Sequence, residues 1–341
     1  MWTNAHNQGV SLQEKRRRRL LWGLLAFLLL LMAFSLCIGR YPLSLNVIWK
    51  ALFSPGIEGT EEKIILSIRL PRVCGAVLVG AGLSGAGLLF QMVFHHPMAT
   101  PDLLGTSSAA SFGAALALLL GGGTATVTAS GFVWGIVSAL PVMLLSRKPR
   151  GGRIGLILTG LVIGSLFSGA VSCIKLLADE SNRLPAITYW LMGSLSGVRM
   201  GDVLPCACVI LPICAALLLI RYRLNLLNLS QEEALSMGIR IHLLRGTCLL
   251  GGVLMTAASV SLCGVVGWVG LFLPNLCRRL VGDNTRLLLP CTLLTGGLFL
   301  LMMDNLSRTL LATEIPLGIL TAALGAPSFL LLYLGRSSED A

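Results

Sequence analysis

The chain has 341 residues, of which 55% are hydrophobic and only 12% are charged, and its mean hydropathy is +0.83. Soluble domains carry about 25% charged residues, so this composition excludes an ordinary water-soluble protein. The net charge of +11 lies mainly in short stretches between apolar segments. Such charges set the orientation of membrane helices, so they do not indicate nucleic-acid binding.

Ten apolar stretches approach the length of a membrane helix, which needs about 20 mostly apolar residues. The first follows a basic run and lacks a small-residue cleavage site, so we expect it to be retained and not removed as a signal peptide. The sequence predicts an all-α, polytopic membrane protein with helices near 20–38, 73–92, 104–121, 127–145, 154–177, 202–220, 246–262, 267–281, 288–308 and 316–334. We divide it into a basic cytoplasmic tail (1–19), a transmembrane domain (20–335) with a cytoplasmic segment at about 221–245, and a cytoplasmic C-terminal tail (336–341).

The distribution of basic residues indicates the topology. With a cytoplasmic N-terminus and an even number of crossings, most Lys and Arg residues fall in cytoplasmic segments, as the positive-inside rule requires. The sequence therefore predicts a multi-pass protein of the inner (cytoplasmic) membrane with both termini in the cytoplasm. Arg69, Arg72 and Arg308 are exceptions, because they fall near the outer face.

The stretch SIRLPRV (67–73) contains two of these exceptions. Pro71 suits the first turn of a helix, which predicts that the second membrane helix begins here and that Arg72 lies in its first turn. The helix dipole disfavours a cation there, so a structural role is hard to assign and an anionic partner is expected. The alternative is that the arginines snorkel to the outer lipid headgroups.

The segment 221–245 predicts a short helix between two membrane helices. In the run SQEE, Ser230 and Glu233 have the spacing of a capping box, and Gly238 suits a helix end. We therefore expect a helix at about 231–237, which a simple connection would not need. We interpret it as a docking element for a cytoplasmic partner, and the alternative is a helix that rests on lipid headgroups.

Motifs for chemistry are lacking in the sequence. There is no G-x-x-x-x-G-K-[ST] phosphate loop, so ATP, if it is used, must bind to another chain. The chain has 4 histidines, and we predict no catalytic site and no metal site. Asp304 stands four residues before Arg308, which predicts a local ion pair. Gly160 and Gly164 form a G-x-x-x-G pair that we expect to pack within the chain and not against a second copy.

Five ordered blocks resemble the permease subunits of ABC importers for iron–siderophore complexes, haem and vitamin B12, the FecCD or BtuC-like family. The blocks extend from about residue 65 to 333 and read RLPRVCGAVLVGAGLSGAGLLFQMVFHHPMATPDLLGTSSAASFGA, YWLMGSLSG, LNLLNLSQEEALSMGI, GVVGWVGLFLPNLCRRLVG and EIPLGILTAALGAPSFLLLYL. Their motif positions are Pro71, Gly85, Gln91, Pro97, Pro101, Gly105, Trp190, Gly193, Pro274, Asn275, Pro316, Gly318, Gly325 and Pro327. The family often has His in place of Asn275, a departure that bears on the substrate subgroup and not on the fold.

The resemblance implies an assembly around a non-catalytic permease without a cofactor of its own. Two permeases, identical or paralogous, would surround one pathway, two ABC ATPase subunits would bind ATP and Mg below, and a substrate-binding protein would dock above. The resemblance implies that acidic residues of the binding protein contact Arg69, Arg72 and Arg308. It also implies that the ATPase contacts the coupling residues Leu226, Ser230, Glu233, Ala234 and Gly238.

The expected substrate is a ferric siderophore or a related iron complex. Haem, cobalamin and molybdate are alternatives in the same importer class, because relatives of this fold carry them. A secondary transporter that works without an ATPase is a more distant alternative. Because the predicted pathway is apolar, we expect the permease to hold its ligand weakly and the binding protein to provide specificity.

Overall fold

The computed structural model describes residues 2–39, 49, 60–146, 152–228 and 241–337. In these ranges the regular elements are helices, and no strand is found among them. In chain order they are α1 (Trp2–Cys37), α2 (three consecutive helical segments, Thr60–Ile64, Ile65–Arg69 and Leu70–Phe94), α3 (Thr106–Leu119), α4 (Thr124–Val137), α5 (Ala139–Ser146), α6 (Gly152–Leu177), α7 (Arg183–Leu191), α8 (Met200–Leu224), α9 (Ile241–Cys263), α10 (Val269–Val281), α11 (Thr285–Thr309) and α12 (Leu317–Ser337). Two 3-10 turns cover Pro101–Leu104 and Asn225–Asn228. The predicted all-α fold is confirmed.

Within the described chain, 7 helices are long and apolar enough to cross a membrane. Helix α10 has only 13 residues, which extend about 20 Å and cover part of a hydrocarbon core of about 30 Å. The predicted span at 267–281 is therefore a short helix with non-helical backbone before it. Helix α7, with 9 residues, has no counterpart among the predicted spans because it is too short to produce an apolar stretch of membrane length.

Helix α2 does not begin at Pro71, so that prediction is wrong. The helical backbone starts at Thr60 and passes through a π-helical turn, Ile65–Arg69, before it reaches the proline. A proline inside a helix removes one backbone hydrogen bond and crowds the preceding turn. In the wider π-helical turn the Leu70 N–H donates to the Ile65 carbonyl, and this altered spacing allows the helix to continue through Pro71.

The core is organised around α2 and α11, which run antiparallel. In the apolar window of α2, 83% of the residues are buried, compared with 17% in that of α1. Gly80 and Gly296 bring the two backbones into contact, because a Cβ on either glycine would collide with the other's carbonyl oxygen. One turn further along α2, the Ser84 hydroxyl donates to the Thr292 carbonyl at 2.9 Å. Small residues thus allow a closer approach than larger side chains would permit.

The G-x-x-x-G pair on α6 packs against the same chain. A Cβ on Gly160 would collide with the Leu103 carbonyl oxygen, and one on Gly164 would lie 3.4 Å from the Cα of Gly105. Gly105 ends the first 3-10 turn with a φ of +72°, a conformation that favours glycine. The predicted packing of this pair within the chain is confirmed.

Candidate functional site

A cluster of buried charges joins α2, α11 and the segment before α12, and we call it, together with Arg69, the arginine end. Arg72 Nε donates to Asp304 Oδ1 at 2.8 Å, and Arg72 Nη1 donates to Glu314 Oε1 at 3.0 Å. Arg308 Nε lies 3.2 Å from Asp304 Oδ2. Asp304 is fully buried, and Arg72 and Arg308 are 6% and 9% exposed. Two arginines from different helices therefore share one carboxylate.

Arg69 and Arg308 connect this cluster to the C-terminus of α1. Arg69 Nη1 donates to the Leu36 carbonyl at 2.7 Å, and Arg308 Nη1 donates to the Ile38 carbonyl at 3.3 Å. Arg308 Nη2 also donates to Ser35 Oγ at 2.7 Å. Carbonyls at a helix C-terminus lack intrahelical donors and carry the negative end of the helix dipole. Both guanidinium groups therefore stabilise the end of α1.

Two sequence-based arguments about these arginines are wrong. Arg72 does not lie in a first helical turn, since α2 begins well before it, and Asp304 and Glu314 give it a structural role. Arg69 and Arg72 do not snorkel, because they are only 5% and 6% exposed. The predicted ion pair between Asp304 and Arg308 is confirmed. Sequence reasoning missed the contact of Arg72 with the same carboxylate.

Three non-helical segments, which follow α7, follow α9 and precede α12, meet near the arginine end. They satisfy one another's backbone hydrogen bonds. The N–H of Leu317 donates to the Gly193 carbonyl at 2.8 Å, and the N–H of Gly318 donates to the Met192 carbonyl at 3.0 Å. Pro316 immediately precedes α12, and these two contacts satisfy N–H groups in the first turn of that helix. Non-helical backbone at membrane depth is tolerated where protein groups satisfy its hydrogen bonds, as they do at this junction.

Two glycines permit the junction. Gly193 and Gly264 have φ angles of +75° and +74°, and a Cβ on Gly264 would collide with the Trp190 carbonyl oxygen. The Ser194 N–H donates to the Cys263 carbonyl at 2.7 Å. The structure thus brings together motif positions from two separate sequence blocks, namely Trp190, Gly193, Pro316 and Gly318.

A cavity of about 460 Å³ adjoins this junction, between α7, the start of α8 and the end of α9. Tyr189, Trp190 and Ser194 are among its lining residues, and none of the described residues that line it is Lys or Arg. Its carboxylate, Asp202, accepts from the Arg199 N–H at 3.0 Å. From the part of the chain that the structure describes, the cavity therefore receives aromatic rings and hydroxyl groups but no cationic side chain for an anion.

At the opposite end of the α2–α11 pair, which we call the connector end, motif residues contact one another. Asn275 Nδ2 donates to the carbonyls of Pro97 at 2.9 Å and Leu271 at 2.8 Å, and Gln91 Nε2 donates to the Leu271 carbonyl at 3.2 Å. Arg278 Nη1 donates to Gln91 Oε1 and, at 3.2 Å, to Asn275 Oδ1. The Asn275 amide thus donates and accepts at once, and it fastens α10 to the loop after α2.

The remaining motif positions shape the backbone. They are Gly85, Gly105 and Gly325, at each of which a Cβ would lie within 3.0 Å of another atom, and Pro101, Pro274 and Pro327, which lie in helical segments. At Gly325, for example, a Cβ would lie 2.5 Å from the Cβ of Trp268. These positions set the approach of helices and turns that carry the polar groups.

The predicted coupling residues fall mostly outside the described residues. Leu226 lies in the 3-10 turn Asn225–Asn228 that follows α8. Outside the described residues lie Ser230, Glu233, Ala234 and Gly238. The predicted helix at about 231–237 therefore stays a prediction. Of this region, the structure describes the turn Asn225–Asn228 that precedes it.

Known sequences similar to this chain are transport permeases. The profile of the FecCD transport family matches residues 27–335. The molybdate import system permease protein MolB of Haemophilus influenzae is 36% identical over 316 residues, which cover 91% of this chain and 94% of that protein. An iron chelatin transport system permease protein, so named, of Helicobacter pylori is 39% identical over 269 residues, covering 79% of this chain and 82% of that protein. Other relatives are named as permeases for hemin and for vitamin B12.

A solved structure has the same fold. It is described as an inward-facing conformation of a candidate metal-chelate type ABC transporter, and it matches with a TM-score of 0.84 and 37% sequence identity. The match covers 93% of this chain and 99% of that one. Since both the family profile and the relatives extend over most of the chain, the chain belongs to the FecCD transport family of multi-pass ABC importer permeases.

Proposed function

We propose that the chain is the membrane-spanning subunit of an ABC importer that takes up a ferric siderophore or a related iron chelate from a binding protein. The observation that carries the proposal is a cluster of buried charges and the turn Asn225–Asn228 at opposite ends of one helix pair, within a chain of the FecCD family. The arginine end would face outward from the cytoplasmic membrane, and the connector end would face the cytoplasm. A second permease, two ATPase subunits that bind ATP and Mg, and the binding protein would complete the importer.

Docking of the binding protein is proposed at the arginine end. Within the described chain, Arg72 and Arg308 contact the carboxylates of Asp304 and Glu314, and Arg69 lies beside them on the Leu36 carbonyl. Arg72 Nη2 is buried and finds no hydrogen-bond acceptor among the described residues. The side chain of Glu314 is 28% exposed, whereas Asp304 is fully buried. An external carboxylate would therefore displace Glu314 more easily than Asp304.

Coupling to the ATPase is proposed for residues 225–240, which we call the connector. Its described base, Asn225–Asn228, follows α8 at the end of the bundle opposite to the arginine end. The residues that follow would present Ser230, Glu233, Ala234 and Gly238 to a groove of the ATPase. The connector would then transmit movement of the ATPase to the membrane helices.

An iron chelate is favoured over a small oxyanion by the cavity beside α7. The cavity offers the rings of Tyr189 and Trp190, and no Lys or Arg from the part of the chain that the structure describes. Aromatic rings suit a large, partly apolar ligand, whereas a tetrahedral dianion is usually held by cations or converging N–H groups. Molybdate is nevertheless the alternative with specific support, because MolB of Haemophilus influenzae is similar over nearly its whole length.

Reconstitution tests the proposal. Affinity purification of the chain from native membranes should bring down an ATPase of the P-loop type. Proteoliposomes with that ATPase and the neighbouring binding protein should accumulate a ferric siderophore only when ATP is supplied. Transport by the chain alone without ATP would support a secondary transporter instead, and uptake of molybdate but not of a ferric siderophore would overturn the substrate assignment.

A further inference from the structure

Helices α2 and α11 are in contact at successive levels between the two ends. Arg72 pairs with Asp304, Gly80 touches Gly296, and the Ser84 hydroxyl bonds to the α11 backbone. At each level the position moves forward along α2 and back along α11 by the same number of residues, so one antiparallel register holds for about 18 Å. Close-packed backbones transmit displacement because they have little room to deform.

At the connector end of this pair, Asn225 hydrogen-bonds the base of the connector to the start of α11. Asn225 Oδ1 accepts from the N–H of Thr285 at 3.0 Å and from its hydroxyl at 2.8 Å. Asn225 Nδ2 donates to Asn284 Oδ1 at 3.3 Å. Thr285 is the first residue of α11, so Asn225 satisfies one of the N–H groups that every helix N-terminus leaves without an intrahelical acceptor.

His95 makes a second attachment, from the end of α2. It terminates the helix with a φ of +52°, and its Nε2–H donates to the Leu227 carbonyl at 2.5 Å. Leu227 is fully buried, which anchors the 3-10 turn in the core as well. The turn at Asn225–Asn228 is therefore hydrogen-bonded to both helices of the pair.

From these contacts we infer that α2 and α11 form one strut that carries the arginine end and the base of the connector, and that His95 and Asn225 are positioning residues that fix the connector to it. This inference rests on the proposed function, in which a binding protein docks at one end and an ATPase at the other. Docking at the arginine end then shifts the connector by rigid-body movement of the strut. Without the Asn225 amide, the connector loses its bonds to α11 while the arginine end keeps its structure.

Asn225→Ala in the complete importer tests this role, with binding protein added to the complex in lipid nanodiscs. The affinity for the binding protein should stay at the wild-type value. Stimulation of ATP hydrolysis by the binding protein should fall by about fivefold, at the lower end of the coupling effects between distant sites. Asn225→Asp keeps the acceptor for Thr285 and should retain the stimulation. Asn182→Ala is the matched control, because Asn182 precedes α7 and makes no side-chain capping bond.

A second variant tests the other attachment. His95→Asn retains a residue type that accepts a positive φ but is too short to reach Leu227, so it should also reduce the stimulation. If Asn225→Ala and His95→Asn each form an intact complex with full stimulation of ATP hydrolysis, the inference is overturned. A loss of binding-protein affinity in Asn225→Ala would also overturn it. A wild-type chain that brings down no ATPase would instead overturn the proposed function, before any variant is compared.

Discussion

The two ends of the α2–α11 pair use different chemistry. At the arginine end the contacts are ionic, with Asp304 fully buried between Arg72 and Arg308. At the base of the connector they are hydrogen bonds that the side chains of Asn225 and His95 make with uncharged partners. A buried charge depends strongly on its counterion, whereas a neutral hydrogen bond fixes geometry with a small net contribution to stability. The first end is thus suited to exchange charged partners, and the second to hold a position.

The largest effect is expected from removal of the central carboxylate. Asp304→Ala would leave two buried guanidinium groups without their shared counterion, and it should lower the free energy of unfolding by about 3–5 kcal/mol. Thermal unfolding of the detergent-purified chain measures the change, with the exposed Glu180→Ala as a control. A variant as stable as the wild type would contradict an arginine end held together by Asp304.

The next largest effect is expected in the middle of the strut. Gly80→Ala places a methyl group against the Gly296 carbonyl, and such overpacking should lower the free energy of unfolding by about 1–3 kcal/mol. Gly169→Ala is the matched control, because a Cβ there has no neighbour within 4 Å. Thermal unfolding of the two variants side by side gives the comparison. Equal behaviour would mean that the two helices are not in the close contact described.

A smaller effect is expected at the N-terminus of α11. Asn284 Oδ1 accepts from the Arg286 N–H at 3.0 Å, so Asn284→Ala should lower the free energy of unfolding by about 1 kcal/mol through loss of this cap. Asn284→Ser restores a capping oxygen and should recover most of the loss. Hydrogen exchange of the first-turn amides is the most direct measurement, and unchanged protection in the alanine variant would argue against the cap.

The smallest effect on stability is expected from Glu314→Gln. The pair with Arg72 is partly exposed, so its loss should lower the free energy of unfolding by less than about 1 kcal/mol. The same change should strengthen the docking of an acidic binding protein, because an internal competitor is removed. Titration of the binding protein at low and high salt measures this, and weaker docking would contradict it.

Docking should be tested through Glu314 and not through charge reversal at Arg72. In the structure, Arg72→Glu would place a third acid beside Asp304 and break a buried pair. Loss of uptake in that variant would therefore not separate docking from folding.

The membrane helices were predictable from sequence because apolar length alone determines them. Each of the ten predicted stretches coincides with helix in the described chain, although 127–145 is divided between α4 and α5. The predicted spans 246–262 and 267–281 also leave a break before α10, but the backbone structure of that break was not predictable, because Gly264–Trp268 is as apolar as the helices around it. Hydropathy does not distinguish a helix from extended backbone that is satisfied by other segments.

The shared carboxylate was missed for a different reason. Arg72 and Asp304 are separated by 232 positions, and one sequence contains no signal for such a pairing. Two anomalies nevertheless pointed to it, namely arginines against the charge bias and an acid inside a membrane helix. An intramembrane acid usually pairs with a cation, so the two anomalies have one physical cause.

The π-helical turn at Ile65–Arg69 has a consequence for insertions and deletions. One residue contributes about 100° of rotation in an α-helix, so deleting one residue from this turn would rotate everything before it relative to Arg72. The segment Thr60–Ile64 would then be rotated, while Arg69 and Arg72, which follow the deletion, kept their contacts with the Leu36 carbonyl and Asp304. A change in length at this position would thus redirect the start of α2 without altering a single charge.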